Sequence, residues 1–90
     1  MEITWDRAKA ETNRRKHGVE FAAAATVLDD PSALTVEDDR HDEGRFITVG
    51  SDLFGNILVV VFSYPDPETF RIISARRAAP REREDYEKGI

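Results

Sequence analysis

The sequence predicts an α+β fold: a mostly antiparallel sheet of four to five strands, with two N-terminal helices and a C-terminal helix. Three observations carry that expectation. Apolar positions recur at helical spacing up to Leu28, residues 34–77 switch to a period of two, and Pro80 opens a charged helical run that stops at Gly89. Strands in unbroken succession between helices favour an antiparallel sheet packed by helices over alternating βαβ units.

Each element has its own local reason. Residues 1–5 read as a short leading strand. Asp6 is a good N-cap, since its carboxylate can accept from the free amides of the first turn. A polar helix follows over Arg7–His17, and Gly18 stops it because glycine tolerates the left-handed conformation. Residues 19–28 form a second helix whose Phe21, Ala24, Ala25 and Leu28 make one apolar stripe. Asp29-Asp30-Pro31 ends it, because the residue before proline is pushed out of the helical region. Leu34 and Val36 then alternate with Thr35 and Glu37 in a half-buried strand, and residues 38–44 form an acidic loop ending in glycine.

Residues 46–51 form a strand, 52–56 a turn, and 57–64 the next strand. Its run Ile57-Leu58-Val59-Val60-Val61-Phe62 implies burial on both faces and so a central place. Pro65-Asp66-Pro67 is expected to break the chain into a turn outside the sheet. Residues 70–77 complete the sheet, and Pro80 suits the first turn of a helix running to Lys88. The expected core is Phe21, Leu28, Phe46, Val49, Leu58, Val60, Phe62, Ile72 and Ile73.

Ninety residues correspond to one domain, 1–90, with a modest core and function on an exposed face or in a shallow groove. The absence of cysteine excludes a disulfide framework, thiolate metal sites and a cysteine nucleophile. No apolar run approaches the ~20 residues of a membrane helix, and the start lacks the pattern of a signal peptide, so a cytoplasmic protein is expected. The net charge is −5, yet it is unevenly spread. Residues 1–18 carry five Lys/Arg against three Asp/Glu, residues 19–70 two against eleven, and residues 71–90 six against four. Two basic terminal segments thus flank an acidic middle, which tilts the reading slightly toward an anionic ligand and disfavours an unaided DNA-binding module.

The C-terminal third is where chemistry is concentrated. Simple alternation places Phe70, Ile72, Ser74 and Arg76 on one face of the last strand and Arg71, Ile73, Ala75 and Arg77 on the other. Arginines on both faces must pair with acids or meet an anion. In the closing helix Arg81–Asp85 and Glu84–Lys88 are spaced for weak pairing, and Glu82 shares a face with Tyr86. A solvated helix with Tyr86 plugging the sheet is the plainer alternative to an arginine–carboxylate–phenol cluster. His17, among Arg14, Arg15 and Lys16, can serve acid–base work or merely complement the helix dipole. His41 reads as a surface residue, and the acids around it match no ordered metal-ligand spacing.

Taken together, the segments go further. Trp5-Asp6 with Lys9, Asn13 and Lys16-His17-Gly18-Val19, then Phe21 with Ala24-Ala25 and Asp30-Pro31, resemble the opening of BrnT-family toxins. Arg45-Phe46 with Gly50, then Leu58-Val59-Val60-Val61, fit the middle, and Arg71-Ile72-Ile73-Ser74-Ala75-Arg76-Arg77-Ala78 with Glu82 and Tyr86 resembles the most distinctive stretch. The resemblance implies a RelE-like fold and cleavage of RNA without metal or cofactor, arresting translation. It also implies a cognate BrnA-like antitoxin with a ribbon-helix-helix part, in a hetero-oligomer that contacts operator DNA through the antitoxin and represses its own operon. The implied chemistry is attack of a ribose 2′-hydroxyl on the adjacent phosphate. Arg76 and Arg77 would stabilise phosphate charge, Arg45, Arg71 and Lys16 would contact RNA, and Glu82, Tyr86 or His17 would move protons. Two positions depart from the family pattern: Gly44 where an acid is common, and Tyr64-Pro65 where an arginine is common. They leave open a second reading, a weakened nuclease acting mainly by binding its antitoxin.

Overall fold

In the computed structural model, which describes residues 1–40 and 44–89, five strands form one sheet. The chain runs β1 (Glu2–Trp5), α1 (Arg7–His17), α2 (Phe21–Ala25), a 3₁₀ turn (Thr26–Asp29), β2 (Leu34–Asp38), β3 (Arg45–Ser51), β4 (Ile57–Asp66), β5 (Thr69–Arg77) and α3 (Pro80–Lys88). The spatial order is β1-β5-β4-β3-β2, with β4 in the middle as its apolar run requires. Only β1 runs parallel to its neighbour, β5; the other pairings are antiparallel.

Leu58, Val60 and Phe62 on β4 and Phe70, Ile72 and Ala75 on β5 pack against Val19, Phe21, Ala24 and Val27. That face is therefore the helix-covered one. Asp6 accepts from the Lys9 amide at 3.3 Å, and Gly18 closes α1 at φ 69°. Gly50 is required by close approach: a Cβ there would stand 2.8 Å from Val27 Cγ1.

Several expectations need correction. The second helix is not continuous over residues 19–28; after Ala25 it tightens into the 3₁₀ turn. β-Branched Thr26 and Val27 weaken the helix there, and the Thr26 hydroxyl bonds back to Ala23 O at 2.7 Å while accepting the Leu53 amide at 2.8 Å. Nor does Pro65-Asp66-Pro67 leave the sheet. β4 continues to Asp66, which pairs with Thr69, because Tyr64 and Pro65 fall in an irregular stretch that asks no ladder donor of proline. Of the expected core, Phe21, Leu58, Val60, Phe62 and Ile72 are buried, whereas Leu28, Phe46, Val49 and Ile73 are only half-buried.

The largest correction concerns β5. Phe62 stands opposite Ile72 and Val61 opposite Ser74, so Ile73 is an extra residue, a β-bulge. The bulge resets the alternation. Phe70, Ile72 and Ala75 all reach the core, and simple alternation across residues 70–77 fails after Ile72.

Candidate functional site

The reset phase decides which arginines meet. Arg45, Ser63 and Arg71 stand opposite one another across β3, β4 and β5, and Val49, Val59 and Arg76 form a second such row. Ser63, Val61 and Val59 alternate with the core residues of β4 and point away from the helix-covered side. Arg71, Ser74 and Arg76 therefore share with Arg45 the face opposite that core, although strict alternation would have split Arg71 from Arg76. Val59, beside Arg76, is nevertheless buried, so this face is covered at that end. Four residues of β4 separate the two rows, a distance of about 13 Å. Arg71 and Arg76 are exposed and Arg45 is half-buried.

Arg76 is held by Glu82. Its two Nη atoms each donate at 2.8 Å to one carboxylate oxygen, and Oε1 of Glu82 also accepts the Ala79 amide at 2.7 Å. One side chain thus caps α3 and orients the guanidinium, the fork matching the carboxylate. The Arg76 hydrogen bonds, with help from Ala79 and against partial burial, hold the Glu82 carboxyl down to about 2. A carboxylate of that acidity is a weak proton acceptor near neutral pH.

Arg77 points to the other face, opposite Leu58, and donates to Asn56 Oδ1 at 3.1 Å. Tyr86 does not join Arg76: its hydroxyl donates at 2.6 Å to Asp30 Oδ2, which also accepts the Ser51 amide at 2.8 Å. Asp30 Oδ1 accepts the Ser32 amide at 2.9 Å. Burial pushes the Asp30 carboxyl up, but the hydrogen bonds from Ser51, Tyr86 and Ser32 outweigh it and hold it below the usual range. The bond to Asp30 in turn pushes the Tyr86 phenol up. In α3, Lys88 pairs with Glu84 at 2.7 Å. Lys16 and His17 lie elsewhere, in a groove of about 320 Å³ between α1 and β5 that Ser74 also lines. His41 falls outside the described residues.

Two residues escaped sequence reasoning as individuals. Asn13, read as a polar helix residue and a motif position with no role of its own, is buried and bonds both backbone groups of Ala75. Asp30, read as a helix terminator and a motif position with no role of its own, joins the 3₁₀ turn, β3 and α3. A lone amide inside a polar helix gives no signal of burial, because the partner strand lies 62 residues away.

A five-stranded mixed sheet with α1 and α2 packed against one face, and Arg45, Arg71 and Arg76 on the other, defines a small α+β protein. Residues 5–82 match the family model described as ribonuclease toxin, BrnT, of type II toxin-antitoxin systems, and the chain belongs to that family. The crystal structure of the Brucella abortus ribonuclease toxin BrnT is similar to it, at 31% identity and a TM-score of 0.68, over 88% of this chain and 97% of that one. The α+β, RelE-like expectation is met in that likeness. A comparison with curated protein sequences gives no match. Membership implies an antitoxin partner. Among the described residues no helix is long and apolar enough to cross a membrane. The departure at Gly44 has a conformational side, since its φ of 62° favours glycine over an acid.

Proposed function

We propose that this protein is an endoribonuclease that cleaves RNA on the arginine-bearing face of its sheet, without metal or cofactor, and thereby arrests translation. The observation that carries the reading is the bulge at Ile73, which gathers Arg45, Arg71 and Arg76 on one face. Arg76 stabilises the charge that develops on the scissile phosphate, because a planar, permanently charged fork suits two phosphate oxygens. Arg71 and Arg45 steer the flanking backbone. Glu82 is a positioning residue for Arg76, and Tyr86 anchors α3 through Asp30. His17 is the better-supported proton-transfer residue, since Glu82 and Tyr86 are engaged. Arg77, on the other face, contributes to binding at a distance from Arg76.

The partner reading follows the same charges. A BrnA-like antitoxin with acidic side chains neutralises the arginine-bearing face, and its ribbon-helix-helix part brings the hetero-oligomer to operator DNA. The test is cleavage of RNA by purified protein with and without chelator and with and without antitoxin. Cleavage that survives chelator and stops at saturating antitoxin supports the reading; cleavage by the saturated complex overturns the blocking mechanism. One observation favours the alternative, a weakened toxin that acts mainly by binding antitoxin: Tyr64-Pro65 supplies no cation where the family pattern has arginine. Pro65→Arg then raises activity if that missing charge is the cause.

A further inference from the structure

The groove between α1 and β5 is left over by the arginine rows, and its origin is topological. β1 ends at Trp5, opposite Ile72, so β5 has no strand neighbour beyond that point. Asn13 takes over the free edge at Ala75. Between these two closures the bulged Ile73 and Ser74 stay open toward α1. Lys9, Thr12 and Lys16 line the opposite wall, spaced to share one helix face.

The lining has one sign. Lys9 and Lys16 make no ion pair among the described residues, whereas Arg14 and Arg15, on another side of α1, are both taken by Glu11. No carboxylate lines this groove. A hollow of comparable size beside the 3₁₀ turn is lined by Asp29, Asp30 and Asp52, and one below Arg77 includes Glu87. The rest of the lining mixes apolar Ala8 and Ile73 with the hydroxyls of Thr12 and Ser74. Position completes the picture. Ser74 and Arg76 are two residues apart on one face of β5, about 6.6 Å, comparable to a single step of a nucleic-acid backbone.

We infer that this groove is a subsite for the nucleotide adjacent to the scissile phosphate of single-stranded RNA, an inference that rests on the ribonuclease reading above. Lys9 and Lys16 hold the neighbouring phosphate, and the base lies over Ile73 with its polar edge toward Thr12 and Ser74. A shallow edge groove of this size admits a base only once it is unstacked, which selects single strands over duplex. Lys9, Thr12 and Ser74 thereby become binding residues alongside Lys16.

The experiment is steady-state cleavage and binding of a short single-stranded RNA by the whole chain. Lys9→Ala combined with Lys16→Ala raises KM about tenfold while kcat stays within about twofold, and flattens the salt dependence of binding by about 1.4 in log–log slope, two contacts at ~0.7 each. Lys9→Arg with Lys16→Arg restores both. Thr12→Trp fills the groove without changing charge and also raises KM. Removing the same number of charges by Arg14→Ala with Arg15→Ala changes neither quantity by more than about twofold. If the wild type cleaves RNA and the lysine double variant, with unchanged melting temperature, keeps its KM and salt slope, the subsite is wrong and the ribonuclease reading stands. Loss of antitoxin binding without loss of RNA binding likewise overturns the subsite. A wild-type chain that neither binds nor cleaves RNA removes both.

Discussion

Asn13 ties the first helix to the last strand, and replacing it with alanine is the sharpest test of the packing. The side-chain amide donates to Ala75 O at 2.8 Å and to Val19 O at 3.1 Å, and its oxygen accepts the Ala75 amide at 3.1 Å. With Asn13 only 6% exposed, Asn13→Ala leaves a buried N–H and two carbonyls without that partner. Each such loss costs about 1–3 kcal/mol. Water entering from the adjoining lysine-lined groove recovers one of them, so the expected cost is about 3–5 kcal/mol. A domain of this size has about 5–15 kcal/mol in total and loses about 4–8 °C of Tm per kcal/mol, so melting falls by roughly 12–40 °C. Thermal and urea unfolding followed by circular dichroism measure this directly. Asn13→Asp sharpens the sign, because an ionised carboxylate would face two carbonyl oxygens. Burial against those carbonyls makes it a weaker acid in the folded state, so stability is retained at acid pH, where the protonated group can donate, and is lost as pH rises. A cost below about 1 kcal/mol for Asn13→Ala, or an Asn13→Asp variant as stable as wild type at neutral pH, refutes the argument.

Arg76→Ala lowers RNA cleavage about 100- to 1,000-fold while costing no more stability than the roughly 1–2 kcal/mol of its pair with Glu82, and Arg76→Lys recovers only part of the cleavage; full cleavage by Arg76→Ala removes this residue from the mechanism. Because the Glu82 carboxyl is held at about 2 in the folded chain, its contribution is complete above the ordinary glutamate range and is lost as pH falls from about 4.5 toward 2. Wild type therefore loses more Tm over that window than Glu82→Gln does, by the equivalent of about 1–2 kcal/mol after solvent screening, and parallel pH profiles contradict the pairing. Deleting Ile73 closes the β4–β5 ladder without moving Phe70, Ile72 or Ala75 off the core face, so the variant folds cooperatively at a cost of about 1–3 kcal/mol. Failure of that deletion to fold shows that the bulge is needed for more than phase.

Much of this was legible in the residues, for reasons that differ by element. The run at residues 57–62 placed β4 at the centre because only a strand covered on both sides sustains six apolar residues in succession. Asp6, Gly18 and Pro80 marked helix ends by local chemistry alone. The bulge was not legible, since Ile72-Ile73-Ser74 alternates as plausibly without it; only pairing with Val61 and Phe62 fixes the extra residue. That single omission divided the arginines wrongly and hid the face shared by Arg71 and Arg76. The candidates Arg76 and Glu82 did come together, while Tyr86 went to Asp30, a partner 56 residues away that no helical spacing could indicate.

The parallel pairing of β1 with β5 also bears on how the chain assembles. Strands β2 to β5 follow one another as neighbours and close by short connections, whereas Glu2 must find Thr69 across almost the whole sequence. Contacts of such separation are entropically late, so the meander forms first and the N-terminal strand zips on afterwards. What closes last tends to open first. Local opening at the β1 edge releases α1 with Lys9, Lys16 and His17, so amide exchange there proceeds faster than in β3 and β4. An RNA strand bridging the α1 groove and Arg76 binds only the closed form, and slows that exchange by mass action in proportion to its occupancy.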